Sequence, residues 1–115
     1  MSGADTAAQN SAEWDEFTAR EILGKLVIVG VTYLTSREVF QSQVQMFGRI
    51  VAVDQVAGVT IELEGSRSGE TVVFPPALDV FELAAPGEYR LRSTGEIVAN
   101  PDYTCSWTSI LRERQ

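Results

Sequence analysis

Leu26-Val27-Ile28-Val29-Gly30-Val31-Thr32-Tyr33-Leu34 is the run on which the fold turns. It is β-branched and apolar at both parities, so a strand made from it has no solvent face. Such a strand is buried on two sides, or lies in a small barrel capped by a helix. Gly30 in its middle allows a sharp bend. Upstream, Gly24 is a plausible helix stop, and residues 11–23 read as a short helix. Asn10 and Glu13 have capping-box spacing. Trp14, Phe17 and Ile22 supply an apolar stripe, while Asp15 and Glu16 complement the helix dipole. Residues 1–10 are small and polar without periodicity, which predicts a disordered tail.

Downstream, Thr35-Ser36-Arg37-Glu38 is a turn sequence. Residues 43–53 form the next strand, with Val44, Met46, Ile50 and Ala52 on the core face and Gly48 as a bend or bulge. Gln43, Gln45, Phe47 and Arg49 have the opposite parity. Val59-Thr60-Ile61-Glu62-Leu63-Glu64 alternates apolar and polar, which is a half-buried strand. Matching the two core faces sets Arg49 opposite Glu62 or Glu64. Residues 70–74 are a fourth strand, stopped by Pro75-Pro76. Residues 77–85 suggest a short helical turn. Residues 88–92 and 96–99 are strands around Thr94-Gly95, and Asn100-Pro101-Asp102 is a turn. Residues 103–111 close the chain as a last strand, with Tyr103, Cys105, Trp107 and Leu111 on one face. The expectation is an all-β, mainly antiparallel fold. It is a small barrel of about six to seven short strands with one short N-terminal helix, a single domain over 11–115.

Composition excludes several chemistries. The chain of 115 residues has no histidine and one cysteine. Imidazole-based triads, the usual zinc sites, and haem or iron–sulfur ligation are therefore out of reach, and no cofactor is expected. A lone cysteine closes no internal disulfide, which suits a reducing, cytoplasmic setting. The first residues carry no basic and apolar leader pattern, and no apolar run is long enough to span a membrane. Sixteen acidic residues outweigh nine basic ones, for a net charge of −7. That balance disfavours nucleic acid, whose phosphates need cations.

The stretch 24–76 resembles small barrels of the Sm-like or Src-homology type. Phe47-Gly48-Arg49-Ile50-Val51-Ala52-Val53-Asp54 is similar to the bent second strand and following aspartate of Sm-like proteins. The resemblance implies a curved barrel and an oligonucleotide-binding oligomer. Val72-Val73-Phe74-Pro75 stands where that family has a basic residue and glycine. The segment from Pro86-Gly87-Glu88-Tyr89 to Asn100-Pro101-Asp102-Tyr103 resembles a family of small bacterial proteins. This second resemblance implies one compact domain and no mechanism.

Several side chains are candidates for chemistry. Glu62 and Glu64 share a strand face about 7 Å apart, a spacing that suits acid–base work, a hard cation or a solvated surface paired with Arg49. Arg90 and Arg92 share a face and can clamp an anion, with Glu88 beside them to neutralise part of their charge. Cys105 lacks any activating histidine and reads as a small core residue. Asn100-Pro101-Asp102-Tyr103 matches a short phosphotyrosine-module motif, but turn chemistry explains it. Trp14, Phe17, Tyr33, Phe47 and Trp107 are core or stacking aromatics. Phe47 is singled out by its polar-face parity, either as an interaction hot spot or as a ring covered by the helix or by residues 76–86.

The preferred expectation is a noncatalytic, acidic module that binds another, basic protein. It would be an adaptor or an inhibitor such as a toxin-neutralising immunity protein, contacting its partner through Phe47, Arg49, Glu62, Glu64, Arg90 and Arg92. The alternatives are an Sm-like oligonucleotide binder and an enzyme that uses carboxylates alone.

Overall fold

A computed structural model describes residues 14–111. The expected disordered tail, the Asn10–Glu13 capping box and the last polar residues lie outside that range. Helix α1 spans Glu16–Ile22, shorter than the predicted 11–23. Asp15 is its N-cap: the carboxylate accepts from the Phe17 amide at 3.0 Å and the Thr18 hydroxyl at 2.9 Å. Ala19 and Ile22 are buried, whereas Phe17 is 69% exposed. Positions 17 and 22 differ by about 140° around a helix, so one stripe cannot hold both. Trp14 packs on the core from just before the helix.

The strands are β1 (Leu26–Leu34), β2 (Phe40–Asp54), β3 (Gly58–Leu63), β4 (Thr71–Phe74), β5 (Glu82–Leu83), β6 (Glu88–Arg90), β7 (Ile97–Ala99) and β8 (Tyr103–Ile110). Six of them form one sheet in the order β4-β3-β2-β1-β8-β5, and β6 and β7 form a separate ribbon. Pairing is antiparallel except between β1 and β8, which run parallel. No helix among the described residues is long and apolar enough to cross a membrane.

The expected barrel is corrected: the main sheet is open. Closure would need β4 to pair with the opposite edge, but Pro75-Pro76 end β4 after four residues. The chain instead passes to the opposite edge through a 3-10 turn, Leu78–Val80, burying Leu78 and Phe81. The helical turn expected at 77–85 is this turn followed by β5. The sheet nevertheless curls strongly. In a flat sheet β4 and β8 would sit about 19 Å apart, at roughly 4.8 Å per strand. Yet the Phe74 and Trp107 rings stack with centroids 5.2 Å apart. Side chains bridge the gap that backbone pairing leaves open.

β2 makes the curl possible by serving two neighbours. Residues 40–49 pair with β1, and residues 48–54 pair with β3. A bulge lies between Ile50 and Ala52, not at Gly48. It flips the parity, so Val53 packs on the core and Ala52 is exposed.

β1 is buried on both faces, as its sequence predicts. Val27, Val29 and Val31 join Met46, Ile50 and Ile61 on the concave side, under α1 and the 75–81 connection. Ile28 lies on the convex side with Leu91 and Val98, and Leu26, Phe47 and Tyr89 pack against them. The cover on that side is the β6–β7 ribbon. Gln45 tethers it: its side-chain carbonyl accepts from the Arg92 backbone amide, and its backbone N–H donates to the Ser93 hydroxyl at 3.0 Å.

Glu96 is the second tether. Its carboxylate accepts from the Ser66 amide at 2.7 Å and the Thr94 hydroxyl at 2.9 Å. Gly65 leaves room for this contact, because a Cβ there would meet the Glu96 carboxylate and lie 2.7 Å from the Phe47 ring. The Ser66 amide, then the Thr94 hydroxyl, holds the Glu96 carboxyl below the usual carboxylate range. A depressed folded pKa means that the tether is complete at neutral pH and is lost as pH falls through that folded value. An acid titration followed at the Ser66 amide resonance is expected to show this step, and Glu96→Gln to remove it. A Ser66 resonance that stays still until the protein unfolds would refute the contact.

Candidate peptide-binding edge

Four of the residues singled out in the sequence come together on the convex face. Arg49 faces Glu62 across β2 and β3, and its guanidinium lies 3.6 Å from the Glu64 carboxylate. Arg49 and Glu62 are exposed and Glu64 is partly so, and such pairs contribute little. Phe47 is partly buried under the ribbon, against Ile28, Leu91 and Val98. The ring is therefore covered, by neither α1 nor residues 76–86 but by β6–β7. This corrects its reading as an open hot spot.

Arg90 and Arg92 are exposed on the ribbon, with Arg90 donating to the Gly95 carbonyl at 3.4 Å. Among the described residues no ion pair joins either of them to the Arg49 cluster, whereas Arg20, Arg49 and Arg67 each face a glutamate. Asn100 takes a left-handed conformation (φ 50°) and its side chain accepts from the Gly87 amide at 2.9 Å, closing the base of the ribbon. Asp102 accepts from the Leu26 amide at 2.9 Å and so locks the start of β8 to β1. The Asn100–Tyr103 motif is a structural corner.

Cys105 is buried, and burial pushes its thiol up to about 12. Trp107 opposes that shift less than burial drives it; its indole N–H is buried without a hydrogen-bond partner among the described residues. Native protein is expected to leave Cys105 unlabelled by thiol reagents at mildly alkaline pH until denaturant is added. Rapid labelling of folded protein would place the thiol at the surface instead.

The feature that sequence reasoning missed is the outer edge of β8. β5 covers it only at Tyr103 and Thr104. Beyond them, residues 105–110 have no strand on that side among the described residues. The Leu111 amide donates to the Leu34 carbonyl. Backbone groups alternate along a strand, so residues 105, 107 and 109 address β1. Ser106, Thr108 and Ile110 then turn their N–H and C=O groups outward.

The run Cys105-Ser106-Trp107-Thr108-Ser109-Ile110 has no charge and no proline. These are the usual devices that keep a free edge from pairing. The other edges carry them: β4 is short and stops at Pro75, and β5 is two residues long and bears Glu82. The signal was present in the sequence as an uncharged terminal strand, but which side of it stays open depends on strand order.

Two cavities flank this edge. One of about 490 Å³ is walled by Tyr33, Met46, Phe74, Trp107 and Ser109, with Arg67 at its rim. Arg67 is held by Glu70 at 2.8 Å and reaches the Met46 sulfur at 3.6 Å. The other, about 340 Å³, is bounded by Asp79, Glu82, Thr104, Cys105 and Ser106. The strand edge thus has an aromatic recess towards one end and two carboxylates at the other. Compared with known protein families, curated proteins and solved structures, the chain matches none of them.

Proposed function

We propose that the protein is a noncatalytic binding module that takes an extended segment of another protein onto the free edge of β8. The observation that carries this reading is the uncharged outer edge of residues 105–110, which faces no strand among the described residues and is flanked by two recesses. An added strand finds three N–H and three C=O groups there. Each hydrogen bond is worth about 1 kcal/mol net, and side-chain pockets supply selectivity. The acidic balance suits a basic partner drawn in by charge. An adaptor or inhibitor of the bacterial cytosol fits these properties.

Thr108→Pro tests the reading. Thr108 directs its N–H away from β1, so proline there removes no internal hydrogen bond, and proline is tolerated on edge strands. Stability is expected to change by less than about 1 kcal/mol. A partner captured by the wild type should be lost, and that partner should protect the Ser106, Thr108 and Ile110 amides from exchange. A partner that binds Thr108→Pro as well as wild type would move the interface elsewhere.

A further inference from the structure

Resting on that strand-addition reading, we infer the chemistry of the segment the edge selects: an extended peptide with a large apolar side chain, aromatic or branched, followed three residues later by a basic one. The two recesses fix the two side chains. The recess under Phe74 and Trp107 is lined by apolar and aromatic groups, and its one cation, Arg67, is already neutralised by Glu70. It has no free charge to offer and suits a ring or a branched aliphatic group. At the other end Asp79 and Glu82 are exposed, and neither belongs to an ion pair among the described residues. Two unpaired carboxylates beside an open backbone edge complement an arginine or lysine.

The spacing follows from β8 itself. Ser106 borders the acidic recess, and Ser109 borders the aromatic one. Ser109 is the small residue of that wall, so a partner side chain opposite it has room to enter. The register of β5 puts Phe81 opposite Cys105, so the nearest free partner position is opposite Ser106, on the face of Thr104 and Glu82. The residues opposite 106 and 109 are three apart. The direction follows from β5, which already pairs antiparallel with β8 on this edge. An added strand in the same sense brings its C-terminal end towards Asp79 and Glu82. The apolar residue therefore comes first and the basic residue last.

The probe is a blocked synthetic peptide of alternating threonine and valine. It carries a phenylalanine and, three positions later, an arginine. Three companions replace the arginine by glutamate, replace the phenylalanine by serine, or N-methylate alternate amides along one edge. Binding is measured by calorimetry against the full chain. The parent peptide is expected to bind at least tenfold more tightly than the glutamate and serine versions, with the N-methylated peptide silent. Asp79→Lys combined with Glu82→Lys, both at exposed positions, should invert the preference between arginine and glutamate. Equal affinity for the arginine, glutamate and serine peptides would overturn this inference and leave strand addition standing. Equal affinity for the N-methylated peptide, or no binding by any peptide, would overturn both.

Discussion

Gly48→Ala is expected to destabilise the protein by about 3 kcal/mol or more, a large effect for one methyl group. Gly48 is buried where β2 changes neighbours, pairing with Val27 on β1 and Leu63 on β3. A Cβ there would collide with the Glu62 carbonyl and sit 2.8 Å from the Leu63 Cα. Both obstacles are backbone, so no rotamer change relieves them. β2 and β3 would have to part at the point on which the curl depends. Gly30 is the control. It is also in mid-strand, but a Cβ there meets nothing within 4 Å and its φ is not positive. Gly30→Ala is expected to be neutral, or to stabilise by roughly 0.5–1 kcal/mol, by restricting the unfolded chain. Urea unfolding of both variants checks the pair. Equal losses would mean that Gly48 tolerates a side chain and that the crossover of β2 is looser than described.

Trp107→Ala is expected to cost about 3 kcal/mol, from lost burial and the cavity left behind. Trp107 stands on β8 opposite Val31 of β1 and stacks on Phe74 from the far edge of the sheet, with 7° between the ring planes. That contact is the tie between two edges that do not hydrogen-bond to one another. A double-mutant cycle with Phe74→Ala should give a coupling of about 0.5–1.5 kcal/mol. Additive losses would show that the two rings act independently and that the curl is set by β2 alone. The same substitution removes a wall of the aromatic recess, so the apolar selectivity of the β8 edge should weaken along with stability.

The strands were legible because their signals are local. Alternation at 59–64, the proline stop after Phe74 and the turn at 100–102 each lie within a few residues. The two-sided burial of β1 was legible from its unbroken apolar run, but not what covers its second face. That cover is the β6–β7 ribbon, tied down by Gln45 and Glu96, and nothing in the ribbon's own pattern names its docking site. Ala52 and Val53 exchanged faces because a bulge shifts parity without a sequence mark. The open sheet escaped for a related reason. Whether β8 closes a barrel or lies parallel to β1 depends on pairing between distant segments, which no local period encodes. The Arg49–Glu62–Glu64 cluster assembled as expected, from matched core faces. The β8 edge did not emerge, because a free edge is a property of the strand order and not of the strand.

Amide hydrogen exchange along β8 in the free protein is the measurement to make first. Cys105, Trp107 and Ser109 should be protected by β1, while Ser106, Thr108 and Ile110 should exchange orders of magnitude faster. That alternation should hold on dilution. Uniform protection from 105 to 110, at every concentration, would mean that the edge is already covered, and strand addition at β8 would have to be abandoned.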